Sequence, residues 1–251
     1  MQPEKRFGLA RALSKMGYCS RAQAAERIRA GRVTVDGRTI RDPETPVRIG
    51  RDRVAVDGTV AAELPKLYLA MNKPRGTVTT ASDEKGRKTV YDLLEPGVPW
   101  VGPVGRLDKA SEGLLLLTND SEWAAKVTDP ARHLVKTYHV QVDQVAEEGL
   151  LAKIVRGVTV DGDRLQVKSA RILRQGEKNS WLVITLDEGK NRHIRRLLAA
   201  LDVQVLRLVR VAVGPLELGE LKKGAVRELG VQEKKAIDLA LGGSNRALAN
   251  L

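Results

Sequence analysis

Hydrophobic positions divide the chain into a short N-terminal stretch with helical spacing and a longer stretch of strand-like runs. Near the start, Leu9, Leu13 and Met16 recur at the spacing of one helix face. Gly17 follows directly, and glycine is the residue most often found just beyond a helix C-terminus. The pattern therefore predicts a first helix that ends at Gly17.

A second helix and a β-hairpin are predicted to follow. Ser20 and Gln23 have the spacing of a capping box, so this helix is expected to begin at Ser20 and to stop at Gly31. The next segment, VTVDGRTI, has strand-forming residues on both sides of Asp36-Gly37, a dipeptide typical of two-residue hairpin turns. Two helices and a hairpin would form a small N-terminal α/β domain over residues 1–58.

The rest of the chain indicates a larger α+β domain. Residues 59–66 are rich in small residues and contain a proline, as is typical of a linker. From residue 67 to residue 230, strand-like runs alternate with turn signals and two or three helices, which predicts a mainly antiparallel mixed sheet. Residues 231–251 form a tail that we expect to be helical at first, to break at Gly242-Gly243 and to be loosely held.

Charge points to a polyanionic partner. The 251 residues include 43 Lys and Arg against 31 Asp and Glu, a net charge of +12. Residues 1–60 hold thirteen basic and seven acidic residues, so this quarter of the chain carries half of the excess. A basic surface of this size attracts nucleic acid through release of counterions. Nucleic acid is therefore the predicted partner.

Other features argue against several classes of protein. No apolar run approaches eighteen residues, and the N-terminal MQPEKRFG is charged where a secretory signal would become apolar, so we expect a cytoplasmic protein that does not bind membranes. A single cysteine, Cys19, permits no internal disulfide. Together with only three histidines it offers no zinc cluster, so we expect no metal and no small-molecule cofactor.

The stretch VGPVGRLDKASEGLLLL contains the first candidate for chemistry. Leu114 to Leu117 read as a strand buried on both faces, and the polar loop before it carries Asp108 towards the core. A carboxylate near a core is costly unless a cation is close. Either Arg106 or Lys109 pairs with Asp108 locally, or the cation comes from elsewhere in the chain.

Two further segments supply candidate partners. In EGKNRHIRRLL, apolar residues define one helix face, and Arg192, Arg195 and Arg196 are predicted to share an adjacent face. One guanidinium would neutralise a buried carboxylate and the others would hold phosphates. In KTYHVQV, alternation places Tyr138 on the core-facing side of a strand, either as an aromatic platform or as ordinary packing.

The N-terminal segment SRAQAAERIRAGRVTVDGRTI resembles the S4 domain, a small RNA-binding domain named after the fourth protein of the small ribosomal subunit. Such domains use a basic helix pair to hold structured RNA. The resemblance implies that Arg21, Arg27 and Arg32 contact RNA, largely through phosphates and helix shape.

Over nearly the whole chain, the ordered motifs MNKPRG, GRLDKASEGLLLLTND, KTYHVQV and EGKNRHIRRLL resemble the small-subunit and large-subunit ribosomal RNA pseudouridine synthases. The resemblance implies that Asp108 is the nucleophile, that Arg195 is its paired cation and that Tyr138 stacks on a flipped uridine. It also implies that Arg106 helps to hold the extruded nucleotide or fills the space that the nucleotide leaves. Lys73 in MNKPRG is placed with the RNA-binding residues, as are Arg192 and Arg196.

The implied reaction converts uridine to pseudouridine in ribosomal RNA, with the motif context favouring large-subunit RNA. The residues do not decide whether Asp108 attacks the anomeric carbon or carbon 6 of the base. The expected partner is ribosomal RNA or a ribosome-assembly intermediate, and the expected state is a monomer. Two other functions stay open: a non-catalytic RNA-binding or ribosome-assembly protein of the same fold, and a glycosidase with Asp108 and Glu112 as paired carboxylates.

Overall fold

The computed structural model describes residues 5–81 and 83–247. The chain divides into two compact units. The first unit comprises Met1–Tyr68 with Leu94–Pro103 and Leu117–Ala124, and the second comprises Leu69–Leu93, Val104–Leu116 and Ala125–Leu251. The architecture is α+β, as the sequence predicts.

The N-terminal part of the first unit contains two helices and six short strands. The helices are α1 (Leu9–Lys15) and α2 (Arg21–Arg29), and the strands are β1 (Phe7–Gly8), β2 (Val33–Val35), β3 (Arg38–Ile40), β4 (Pro46–Val47), β5 (Val54–Val56) and β6 (Thr59–Val60). Strands β3, β2, β5 and β6 form one sheet in that order, and β1 pairs with β4. Apolar residues of both helices and of β2 and β5 fill a common core.

The local signals in this unit are confirmed. Gly17 has φ +80° just beyond α1, a conformation that glycine adopts without steric cost. The side chain of Ser20 accepts a hydrogen bond from the Gln23 amide while the Gln23 side chain accepts one from the Ser20 amide. Asp36 and Gly37 both have positive φ, as a two-residue type I′ hairpin requires.

The second part of the chain forms a large sheet with four helices. The strands are β7 (Tyr68–Lys73), β8 (Gly102–Val104), β9 (Glu112–Thr118), β10 (Lys136–Val142), β11 (Val158–Val160), β12 (Asp163–Leu165), β13 (Ser169–Gln175), β14 (Ser180–Leu186), β15 (Val205–Val213), β16 (Leu216–Glu217) and β17 (Val226–Glu228). The helices are α3 (Ser121–Thr128), α4 (Glu148–Arg156), α5 (His193–Ala199) and α6 (Val231–Ala247), and Val90–Leu93 and Pro130–Arg132 form 3-10 turns.

The sheet order is β13-β14-β10-β15-β9-β7-β17, with β16 beside β15 and β8 beside β9; β11 and β12 form a separate hairpin. Strand β10 runs antiparallel to both β14 and β15, whereas β9 runs parallel to β15. Residues of α4 and α5 pack with Val140 and Val142 of β10 in one hydrophobic core. Because side chains alternate along a strand, Tyr138 and Lys136 lie on this same side of the sheet.

Two details differ from the sequence prediction. Thr59 and Val60, assigned to a linker, pair with β5 and so extend the N-terminal sheet. Helix α6 passes through Gly242 and Gly243 without the predicted break, because Ile237 and Leu241 are buried and Arg132 Nη1 donates to the Leu241 carbonyl. Tertiary contacts therefore outweigh the low helix propensity of glycine; residues 248–251 of the predicted tail lie outside the described residues.

Strand β9 is buried along its whole length, as predicted for Leu114–Leu117. Its parallel contact with β15 is made at Glu112 and Gly113. Gly113 has φ +102°, and a Cβ atom there would lie 2.2 Å from the Arg210 carbonyl oxygen. Only glycine permits this approach of the two backbones.

We predict that Gly113→Ala destabilises the protein by at least about 2 kcal/mol, because the new methyl group meets backbone atoms that cannot rotate away. Urea denaturation of parent and variant measures the difference. Gly149→Ala is the control: no atom lies within 4 Å of that Cβ position, and alanine is favoured in a helix such as α4. Equal stability of the two variants would contradict the prediction.

Candidate active site

A cavity of about 440 Å³ lies in the second unit, beside the loop that precedes β9. Its walls include Arg106 and Asp108 from the loop, Lys136 and Tyr138 from β10, Arg192 from the segment before α5, and Arg210 from β15. We call it the Asp108 cavity. The structure therefore brings together three of the predicted motifs at one place.

Asp108 follows the buried Leu107 and keeps about one third of its side chain exposed. Its Oδ2 lies 3.9 Å from Arg192 Nη1, which is its one ion pair within 4 Å among the described residues. Neither Arg106 nor Lys109 makes that contact. The local pairing considered from the sequence is therefore wrong, and the cation comes from a distant segment of the chain.

Arg195 does not lie where the sequence comparison implies. Its Nη2 donates to the Ala110 carbonyl at 3.0 Å and its Nη1 to the Val205 carbonyl at 3.3 Å, but no oxygen of Asp108 lies within 4 Å. Burial lowers the pKa of Arg195 and so does Arg192, while the charge of Asp108 opposes that shift. Residues 105–111, which precede β9, are called the Asp108 loop. The Arg195 side chain therefore supports this loop at the Ala110 carbonyl and acts on the Asp108 carboxylate from a longer distance.

Lys73 is not an RNA-binding residue. Its side chain is fully buried, and Nζ donates to the carbonyl oxygens of Pro74, Asp108 and Ser111 at 3.2, 3.1 and 2.9 Å. Burial lowers the pKa of Lys73 to about 8, against the charges of Asp108 and Glu112. Lys73 thus connects the end of β7 to the Asp108 loop at two points, Asp108 and Ser111. Its position at the end of an apolar strand is the sequence signal for burial.

The three arginines of EGKNRHIRRLL do not share one face. Helix α5 begins at His193, and Arg192 precedes it in a left-handed conformation with φ 49°. Arg196 is already occupied: its Nη1 donates to Asp163 Oδ2 at 2.8 Å, its Nη2 donates to the Val160 carbonyl at 3.0 Å, and Asp161 is 3.6 Å away. Arg196 therefore fastens the β11–β12 hairpin, and the phosphate role predicted for it is wrong.

Tyr138 lies on the predicted side of its strand. It packs against the hydrophobic core and lines the Asp108 cavity. Lys136, two residues earlier, lines the same wall, and Arg210 is opposite Tyr138 in the pairing of β10 with β15. Sequence reasoning missed both cations, although the alternation that selects Tyr138 also selects Lys136.

The arginines predicted to bind RNA in the first unit differ in their surroundings. Arg21 is exposed at the start of α2, and the Arg27 guanidinium lies 5.5 Å from the centre of the Tyr18 ring. Arg32 makes two hydrogen bonds to Asp57, at 2.7 and 2.6 Å. The charge of Arg32 is therefore balanced by Asp57, whereas Arg21 and Arg27 have no acidic partner within 4 Å among the described residues.

Comparison with known families agrees with the geometry. A family profile described as RNA pseudouridylate synthase matches residues 67–200, and the S4 domain profile matches residues 8–54. The first match covers more than half of the chain. The chain belongs to the RNA pseudouridylate synthase family.

Relatives support this membership. The chain is 34% identical over 231 residues to the ribosomal large subunit pseudouridine synthase B of Bacillus subtilis, covering 91% of this chain and 94% of that protein. It is 39% identical over 225 residues to an uncharacterized RNA pseudouridine synthase of Rickettsia typhi, covering 89% and 91%. A crystal structure of a pseudouridylate synthase superposes with a TM-score of 0.64 at 27% identity, covering 92% of this chain and 99% of that chain.

The protein is therefore a pseudouridine synthase, an isomerase that acts on uridine in RNA and carries an S4 domain. The fold and the RNA partner expected from the sequence are confirmed. No helix within residues 5–81 and 83–247 is both long and apolar enough to cross a bilayer.

The glycosidase alternative conflicts with the position of Glu112 in the synthase. The Glu112 carboxylate is buried and forms ion pairs with Arg207 at 3.1 Å and Lys223 at 2.5 Å. It is not among the residues that line the Asp108 cavity. Asp108 and Glu112 are therefore not two carboxylates facing one substrate.

We predict that Lys73→Met destabilises the synthase by about 3 kcal/mol, because the carbonyl oxygens of Pro74, Asp108 and Ser111 lose their buried donor. Hydrogen exchange of residues 105–111 should become faster as well. Denaturation and exchange measured by mass spectrometry test both effects, with the exposed Lys153→Met on α4 as the control. A loop that exchanges at the parent rate would argue against the anchoring role.

We also predict that Arg192→Met and Arg196→Met differ in their effect on RNA binding. Arg192 is exposed and its ion pair with Asp108 is long, at 3.9 Å, so it can also contact a phosphate, and its loss should reduce the logarithmic salt slope by roughly 0.7–0.9. Arg196→Met should lower stability and leave the slope unchanged, because its guanidinium is held by Asp161 and Asp163. Binding to a ribosomal RNA fragment across a salt series distinguishes the two variants, and equal slopes would refute the distinction.

Proposed function

We propose that this synthase isomerises a uridine of large-subunit ribosomal RNA in the Asp108 cavity, with Asp108 as the nucleophile. The observation that carries the proposal is that a partly exposed carboxylate and an aromatic ring, Asp108 and Tyr138, line one cavity of nucleotide size. The likeness to the large-subunit enzyme of Bacillus subtilis supports the choice of RNA.

The proposed reaction begins when the uridine leaves the RNA stack and enters the cavity. Flipping a nucleotide costs a few kcal/mol, and stacking on an aromatic ring offsets about 1–3 kcal/mol. Tyr138 supplies that ring, and the exposed Arg106 holds the nucleotide at the rim of the cavity. Since the structure has few aromatic residues, phosphate contacts from the S4 domain, including Arg21 and Arg27, supply most of the affinity.

Asp108 then attacks either the anomeric carbon or carbon 6 of the base, and the glycosidic bond breaks. Arg192 Nη1, 3.9 Å from Asp108 Oδ2, places a positive charge beside the attacking carboxylate. Arg195 holds the loop at Ala110, so it positions the nucleophile. The base rotates and rejoins the sugar through carbon 5, and the bond to Asp108 breaks so that the carboxylate is regenerated. Carbon 5 releases its proton and nitrogen 1 takes one up. We propose that the enzyme works as a cytoplasmic monomer on ribosomal RNA or an assembly intermediate, without a cofactor.

Mapping of carbodiimide-resistant uridines tests the target. Ribosomal RNA from cells with and without the gene is treated with carbodiimide and alkali, and reverse-transcription stops are compared in both subunit RNAs. A stop lost from large-subunit RNA is expected when the gene is absent. A stop lost only from small-subunit RNA would move the target to that subunit.

We predict that Asp108→Asn binds RNA with the parent affinity and forms no measurable pseudouridine, because the amide has nearly the same shape but cannot act as the nucleophile. Tritium release from carbon 5 of labelled uridine RNA measures turnover. Asp143→Asn, an exposed carboxylate outside the cavity, is the matched control and should retain the parent rate. Substantial turnover by Asp108→Asn would rule out Asp108 as the nucleophile.

A further inference from the structure

Lys136 is a cation in the Asp108 cavity to which no role has been given so far. It is the first residue of β10, where it pairs with Leu186 of β14 and Val213 of β15. Because strand side chains alternate, it lies on the same side of the sheet as Tyr138, roughly 7 Å further along the strand. Its half-buried side chain lines the cavity. An extended lysine side chain therefore reaches a ring stacked on Tyr138.

Among the described residues, the side chain of Lys136 makes no hydrogen bond and no ion pair within 4 Å. Burial lowers the pKa of Lys136, the neighbouring charge of Arg210 lowers it further, and Asp187 opposes both. Asp187 Oδ2 lies 3.6 Å from His133 Nδ1 and makes no ion pair with Lys136 within 4 Å. Arg210 is itself buried and donates its Nε to the Leu114 carbonyl. Lys136 and Arg210 therefore lie together in this wall, and among the described residues neither has a carboxylate within 4 Å, although Asp187 acts on Lys136 from a longer distance. A negative group that enters the cavity would relieve the repulsion between the two cations.

The negative group expected at this wall belongs to the base. Phosphates of the bound nucleotide have exposed cations available at Arg106 and Arg192. Lys136 instead shares its wall with Tyr138, the residue on which the base stacks in the proposed function. The side chains of Leu186 and Val213, which flank Lys136, are buried and apolar, and a charge interaction is stronger in such surroundings than in water.

We propose that Lys136 is a catalytic residue whose ammonium group contacts a carbonyl oxygen of the uracil ring and stabilises the negative charge that develops there. If Asp108 attacks the anomeric carbon, the electron pair of the glycosidic bond passes to the base and makes it a uracil anion. If Asp108 attacks carbon 6, the charge collects on the carbonyl at carbon 4. In both routes, the base loses its charge when carbon 5 bonds to the anomeric carbon and Asp108 leaves with the electron pair of its own bond; nitrogen 1 then gains a proton and carbon 5 loses one.

This inference rests on the proposed function, because it assumes that uridine binds over Tyr138. Its first test is the single-turnover rate of Lys136→Met at saturating enzyme. The rate should fall by about 100-fold, as for the loss of one donor to a developing anion, while RNA affinity stays near that of the parent. Lys136→Arg keeps the charge and should retain most of the rate. Lys153→Met, outside the cavity, is the control for loss of a lysine.

The second test changes the base instead of the protein. Fluorine at carbon 5 withdraws electron density and makes the uracil anion more stable without help from the enzyme. RNA transcribed with 5-fluorouridine should therefore be less sensitive to Lys136→Met, with a loss of about 10-fold in place of 100-fold. Nuclease digestion and chromatography follow the disappearance of the substrate nucleoside, because the fluorinated carbon has no proton to release.

The outcomes separate this inference from the proposed function. Equal losses on uridine and 5-fluorouridine would mean that Lys136 does not act on the charge of the base. Weaker RNA binding with an unchanged single-turnover rate would make Lys136 a phosphate contact, and either result overturns the inference. If Asp108→Asn remains active, the proposed function fails first. The single-turnover rates are measured on transcripts of both subunit RNAs. The comparison of Lys136→Met with the parent therefore holds whichever subunit RNA is the target.

Discussion

The Asp108 loop depends on one buried ammonium group. Lys73 donates to three carbonyl oxygens, two of which belong to Asp108 and Ser111 at the two sides of the turn that leads into β9. An uncompensated charge at a fully buried position would be strongly unfavourable, so the loop must keep the conformation that supplies those oxygens. The position of Asp108 therefore depends on hydrogen bonds that a buried lysine requires. Arg195 adds a second link at Ala110.

The charged residues in and around the cavity differ in how closely they are paired. One ion pair, between Asp108 and Arg192, is loose at 3.9 Å, whereas Arg196 and Glu112 have close partners outside the cavity. The close pairs fix strands and hairpins. The loosely paired groups and Lys136 retain the capacity to interact with a substrate, which is itself polar and negatively charged. Charged groups without close partners are thus concentrated around the Asp108 cavity.

Sequence reasoning predicted what depends on local signals. The capping box at Ser20, the hairpin at Asp36-Gly37 and the buried leucines of β9 are encoded by neighbouring residues, and each is present in the structure. Motifs also placed Asp108 and Tyr138 in one site. Apart from Pro74, the partners of Lys73 and Arg196 could not be predicted, because they come from segments about 30 or more residues away. A basic residue in a motif can equally bind substrate or satisfy carbonyl oxygens, and only tertiary structure distinguishes the two.

The left-handed backbone of Arg192 has a further consequence. A residue with a side chain costs roughly 1–2 kcal/mol in this conformation, and glycine avoids most of that cost. The same backbone carries the guanidinium that lies nearest to Asp108. Replacement by glycine would therefore relieve the backbone strain and remove the cation nearest to Asp108. At this position, an unstrained backbone and a charged group beside Asp108 require different residues.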